Sequence, residues 1–169
     1  MINDLLRQIP LIDENACLTE TSERELFIFD DPQSWCYATN NYFHFKVVNT
    51  SQKRLFFLAI DKCCLDHRFA GKRCDFGLIL EGESFFLVEI KDTIKIKRKN
   101  KSTAVKQLEN TIKHFESLSL FDSTPQRTAI ISWNYSPTRP ISRSSINSAR
   151  VRFFKEYRFD LQEGNELNL

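Results

Sequence analysis

The chain reads as an α/β protein built on a central mixed β-sheet flanked by α-helices. Three observations predict this. Apolar runs rich in Phe, Ile, Leu and Val recur from Tyr42 onward, separated by polar turn clusters, as buried strands do. One of them, Phe85–Ile90, is followed by a helix-period stripe and then by another apolar run, Thr128–Trp133. A strand–helix–strand crossover of that kind sets two strands parallel within one sheet. The third observation is size: 169 residues with 41% hydrophobic content suffice for one domain with its own core.

Element by element, residues 1–9 suit a short amphipathic helix stopped by Pro10, and Leu26–Phe29 reads as a strand closed by Asp30-Asp31-Pro32. The remainder of 11–35 carries no clear period. Phe43–Val48 and Leu55–Ile60 are strands on either side of the polar break Asn49–Lys53. Arg73–Leu80 and Phe85–Ile90 form a hairpin around Glu81-Gly82-Glu83. Ser102 or Thr103 can cap a helix whose apolar stripe is Val105, Leu108, Ile112, Phe115 and Leu118. Thr128–Trp133 reads as a strand buried on both faces. Residues 142–157 suit a second helix with Ile146, Ala149, Phe153 and Tyr157 on one side, and Phe159–Leu161 a closing strand. The organisation expected is a single domain over 1–169, its core at about 43–161 and an acidic extension at 1–42.

Four Gly and five Pro exclude collagen-like, disordered and Gly-rich phosphate-loop classes. The apolar stretches are too short to span a bilayer, and no secretory signal is read at the N-terminus. Five cysteines, an odd count without framework spacing, point to a reducing compartment, so the expected location is cytoplasmic. Charge is asymmetric despite a net +2: residues 1–40 carry eight acids against two bases. Residues 91–101 and 139–158 each carry six bases against one acid, which suits a surface facing a polyanion.

Two carboxylates and an ammonium stand at the ends of neighbouring buried strands: Asp75 on one, Glu89 and Lys91 on the next. Such groups need a partner or a metal. Asp75 and Glu89 can hold a hard divalent cation, Mg²⁺ or alternatively Mn²⁺, with the Ile90 backbone carbonyl as a further ligand. Positions 89 and 91 share a sheet face, so Lys91 falls beside that ion, where it can orient a water or offset developing negative charge. This is phosphodiester-cleaving chemistry.

Asp75, the gap of about a dozen residues, and then Val88-Glu89-Ile90-Lys91 resemble the PD-(D/E)XK, or restriction-endonuclease-like, nuclease superfamily. Gln107, in the helix after Glu-x-Lys, resembles the polar Gln that many members present near the metal. Thr128–Trp133 resembles their sheet-returning strand. Cys74 stands where the namesake proline would be, and the carboxylate that many members supply upstream has three candidates, Glu25, Asp61 and Asp66. The resemblance implies a restriction-endonuclease-like core and a metal-dependent nuclease with catalytic Asp75, Glu89, Lys91 and Gln107. The small size suggests a stand-alone module, a homodimer or a component of a larger assembly, and the resemblance implies a defence or repair system for the last. The expected partner is nucleic acid, DNA first and RNA as an alternative, contacted by Lys95, Lys97, Arg98, Lys99, Lys101, Arg139 and Arg143. The competing reading is a catalytically inactive domain of the same fold that binds nucleic acid or protein.

Overall fold

A computed structural model of the chain describes residues 2–39, 42–65, 69–91, 98–121, 124–133, 139–143 and 147–169. It is a mixed α/β structure with a central mixed sheet. Two short N-terminal helices, α1 (Ile2–Gln8) and α2 (Leu11–Glu14), precede strands β1 (Leu18–Thr21), β2 (Glu25–Phe29), β3 (Tyr37–Thr39), β4 (Phe45–Val48) and β5 (Leu55–Ala59). The hairpin β6 (Phe76–Leu80) and β7 (Ser84–Lys91) follows, then helix α3 (Arg98–Ser117) and β8 (Gln126–Trp133). The chain closes with β9 (Ser142–Arg143), α4 (Asn147–Arg152), a π-helical turn at Phe153–Tyr157, β10 (Asp160–Glu163) and β11 (Glu166–Asn168).

The central sheet has the order β1-β5-β6-β7-β8-β10-β9. β6 and β7 pair antiparallel and β7 and β8 parallel, as the hairpin and the crossover predict. Strand β7 is buried along nearly its whole length because it has a neighbour on each edge and a layer on each face. Along it, Phe85, Leu87, Glu89 and Lys91 alternate onto the face covered by α3, where Phe85 meets Phe115 edge-on. The opposite face carries Phe76, which packs against Phe45 of a second sheet, ordered β11-β4-β2-β3. The core therefore lies in two apolar layers, one on each side of the central sheet.

Several expectations are corrected. Residues 1–42 are not an extension: β1 is an edge strand of the central sheet and β2 and β3 belong to the second, with Leu5, Ile12, Cys17, Leu26 and Ile28 buried in the core. The strand expected at 43–48 pairs with β2 and β11, outside the central sheet. Helix α3 starts at Arg98, ahead of both capping candidates, and Arg and Lys in its first turn are good helix formers. Its stripe is as expected: Val105, Leu108, Ile112 and Phe115 are buried and Leu118 packs at the margin. The second helix is shorter than 142–157, since residues 142–143 pair with β10. Gly164, at φ +150°, lets the turn into β11 run against Pro140 and Ile141, where a Cβ would stand 2.7 Å from the Ile141 backbone.

Cysteine use is corrected too. Cys17 and Cys63 form a disulfide across 46 positions, tying the N-terminal segment to the turn after β5, while Cys36, Cys64 and Cys74 are free and buried. A disulfide runs against the expectation of a reducing compartment. Among the described residues, no helix is long and apolar enough to cross a membrane.

Candidate metal centre

The end of β7 that outruns β6 carries the candidate site. Asp75 immediately precedes β6, and its N–H donates to the Val88 carbonyl at 3.1 Å. Its carboxylate oxygen Oδ2 accepts the N–H of Ile90, which has no ladder partner on β6 because that strand begins only at Phe76. Alternate residues of a strand direct their backbone groups to the same neighbour, so the Ile90 carbonyl faces the Asp75 side as well. The Ile90 side chain is buried away from the site, as expected.

Glu89 is 1% exposed on the α3 face. One of its oxygens, Oε1, accepts a hydrogen bond from the Lys91 ammonium, and the other, Oε2, is buried with no hydrogen-bond partner. Lys91 Nζ also donates to Gln107 Oε1 at 2.8 Å, and Gln107 Nε2 donates to the Arg73 carbonyl at 2.9 Å. Gln107 is therefore a bracket between the lysine and the segment leading to Asp75. Two neighbours on the same helix do similar work. Thr111 Oγ1 accepts the Cys74 N–H at 2.9 Å, and Asn110 Nδ2 donates to the Lys72 carbonyl at 2.9 Å. Residues 107, 110 and 111 share one helix face, and together they pin residues 72–74 so that Asp75 is delivered to the sheet end.

The electrostatics are those of an acid cluster short of positive charge. Burial pushes the Asp75 carboxyl up to about 8, helped by the neighbouring Asp30 carboxylate and resisted by the Ile90 N–H and Lys91. Burial raises Glu89 well above the usual carboxylate range, with Asp75 adding to the rise and Lys91 opposing it. Asp30 is raised as well, chiefly by burial. Lys91 thus offsets Asp75 and Glu89, while Lys62 and His44 act on Asp30, and the three acids repel one another.

Asp30 is the member that sequence reasoning missed. It follows β2, on the second sheet, where its N–H donates to His44 Nδ1 at 3.1 Å and its Oδ1 accepts from the Cys36 thiol at 3.6 Å. Its charge acts on both Asp75 and Glu89, and that of Asp61 acts on Asp75 as well. The available signal was an acid directly after the apolar run Leu26–Phe29, whereas Asp75 stood out by interrupting one. Of the upstream candidates, Glu25 is at the other end of β2, paired with Lys46 at 2.6 Å. Asp61 is held by Arg73 at the rim, and Asp66 lies outside the described residues. Among the described residues, no three His, Cys, Asp or Glu side chains are grouped closely enough to hold a metal by themselves.

Of the expected nucleic-acid contacts, Lys101, Arg139 and Arg143 lie along residues 162–166. Lys95 and Lys97 lie outside the described residues, while Arg98 and Lys99 form the start of α3 and Arg143 lies on β9. Lys101 is committed to Glu163, at 3.2 and 3.3 Å from its two oxygens. The Arg139 backbone is engaged with Asn165 and Glu166. Compared with protein-family models, with curated proteins and with solved structures, the chain finds no match.

Proposed function

We propose that this chain is a Mg²⁺- or Mn²⁺-dependent nuclease with a restriction-endonuclease-like core, acting on DNA. The observation that carries this reading is the Glu89 oxygen Oε2, buried without a partner beside the raised carboxyl of Asp75. A buried acceptor in that state costs about 1–3 kcal/mol, and more when charged, unless a cation completes it. The donors are hard carboxylate oxygens, which suit Mg²⁺ or Mn²⁺ better than the softer metals.

Asp75 and Glu89 would hold the ion, with the Ile90 carbonyl on the same side. When bound, such an ion acidifies water and offsets charge on phosphoryl oxygens. The chain's own groups do the rest. The Ile90 N–H fixes the Asp75 carboxylate in the sheet plane, and the Lys91–Glu89 contact fixes the glutamate. Lys91, bracketed by Gln107, offers a preorganised positive charge where negative charge builds on the phosphate, and an N–H to orient the attacking water. Apolar walls around Glu89 limit competing water, which strengthens each of these interactions.

The test is cleavage of plasmid, linear, single-stranded and RNA substrates with Mg²⁺ or Mn²⁺, comparing wild type with Glu89→Ala and Lys91→Ala. Metal-dependent cutting lost in both variants is the expected result. Binding without cutting in the wild type would replace this reading with a catalytically inactive binding module.

A further inference from the structure

Three cavities compete for attention. One, about 770 Å³ between the two sheets, has Glu20, Glu23 and Glu25 in its lining and repels a polyanion. A second, about 620 Å³, lies over α4 beside the exposed Val151 and Phe154, and nothing in the structure says what would cover it. The third, about 440 Å³, is different in kind. It lies between the segment before Asp75 and α3, lined by Lys72, Ser102, Thr103, Lys106, Gln107 and Asn110, with no acid among its lining residues.

We propose that this third cavity is a subsite for a backbone phosphate of a nucleic-acid strand next to the one at the metal centre. The inference rests on the nuclease reading for its strand, while the cavity's chemistry stands by itself. The Lys72 and Lys106 ammonium groups, the Ser102 hydroxyl and the second N–H of each side-chain amide are donors that phosphate oxygens take, and among the described residues neither lysine is in an ion pair. Gln107 belongs to both places: it lines the cavity and holds Lys91 at 2.8 Å. A strand lying across Gln107 would therefore meet the acid cluster on one side and the basic cavity on the other.

The wall is built rather than incidental. Ser102 and Lys106, and Thr103, Gln107 and Asn110, recur at helical steps that put each set on one face of α3. Gly71 has φ +114°, a conformation L side chains rarely adopt, and a Cβ there would meet Asn110 Nδ2 at 3.2 Å. Glycine thus lets the chain come close enough for Asn110 to bind the Lys72 carbonyl, which fixes the lysine-bearing rim against the helix.

The experiment measures anisotropy of a short fluorescein-labelled single DNA strand against salt, in EDTA so that nothing is cut. The protein is full-length wild type, Lys72→Ala/Lys106→Ala, or Lys53→Ala/Lys155→Ala as a charge-matched control, each checked for folding by circular dichroism. A single strand contributes roughly 0.7 to the salt slope per neutralised phosphate, so the first pair should flatten the slope by up to about 1.4 and weaken binding about tenfold. The control pair should bind as wild type does. Unchanged affinity and slope in the first pair, or an equal loss in the control, overturns the subsite. Displacement of the strand by equimolar inorganic phosphate would assign the cavity to a free anion and overturn it too. Normal cleavage with an unchanged slope sinks the subsite alone, whereas the expected slope change without metal-dependent cutting sinks only the nuclease reading.

Discussion

Two glutamates stand near the ends of strands that flank β8 in the same sheet, each with a lysine beside it, and they are finished differently. Glu163, at the end of β10, accepts from Lys101 through both oxygens and from the Trp133 indole N–H at 3.2 Å. Lys101 in turn lies 5.9 Å from the Trp133 ring centre. Glu89, at the end of β7, has one oxygen on Lys91, the other without any partner, and two further acids near by. The first arrangement is complete within the protein and reads as structure. The second leaves one buried oxygen without a hydrogen-bond partner, which on the proposed reading a cation would complete. Salt bridges alone do not mark a site; an unfinished one beside like charges does.

The largest effect should separate the two glutamates by activity. Glu89→Gln is expected to cut metal-dependent cleavage by at least about a hundredfold, the scale of losing a group that acts on the reacting centre. Glu163→Gln should leave the rate within a few-fold of wild type. Equal losses in the two variants, measured as initial rates on the same plasmid, would erase the distinction drawn here.

Stability should separate them with opposite signs. In EDTA at pH 8, Glu89→Gln removes a buried acid that folding forces toward its protonated form, and should stabilise by about 1–3 kcal/mol. Glu163→Gln weakens a charge-assisted pair and the acceptor of a buried indole N–H, and should destabilise by about 1–2 kcal/mol. Urea unfolding of the three proteins reads both numbers. A destabilised Glu89→Gln would mean that Lys91 alone already satisfies that carboxylate.

The strand-end acids were legible because a charged residue interrupting an apolar run is rare enough to stand out, as at Asp75 and Glu89. The hairpin, the parallel β7–β8 pair and the α3 stripe were legible because their contacts are local or follow one period. What was not legible is long-range. Leu18-Thr19-Glu20-Thr21 has no apolar signal, being a largely exposed edge strand, so its place beside β5 could not be read. Asp30 was read only as a turn residue, because its approach to Asp75 depends on the pairing of β2 with β4 and on how that sheet packs. The Cys17–Cys63 bond likewise depends on β1 lying against β5.

A pH series should sharpen the contrast further. Asp75 binds its proton more tightly in the folded protein, at about 8, than an unfolded aspartate does at about 4. Between those values the native state holds more protons than the unfolded one, so stability is full below about pH 4 and declines as pH rises toward 8. Glu89, raised for the same reason, adds to the decline. The metal-free protein should thus melt on the order of 5 °C lower at pH 8 than at pH 5. Added Mg²⁺, which favours the ionised carboxylates, should recover most of that loss at pH 8 and little of it at pH 5. A melting temperature that is flat across the series would show that the acids are already neutralised by the protein.

The smallest expected effect tests whether Asp30 belongs with the unfinished pair or merely stands near it. Its carboxylate is anchored through Cys36 and its N–H through His44, so Asp30→Asn preserves shape and both anchors while removing the charge. If Asp30 contributes its field to the cation, metal affinity should fall about tenfold, the lower end of what losing a supporting group costs. The same substitution removes a repulsion that raises Asp75, so the pH-dependent loss of stability in EDTA should shrink. Those two readouts move in directions that a purely structural role does not link: weaker metal binding together with a more stable metal-free protein at pH 8. Calorimetric titration of Mn²⁺ into EDTA-free protein, and melting curves of a second aliquot in EDTA, measure the two. Unaltered affinity with a stabilised apo protein would leave Asp75 and Glu89 as the whole of the centre.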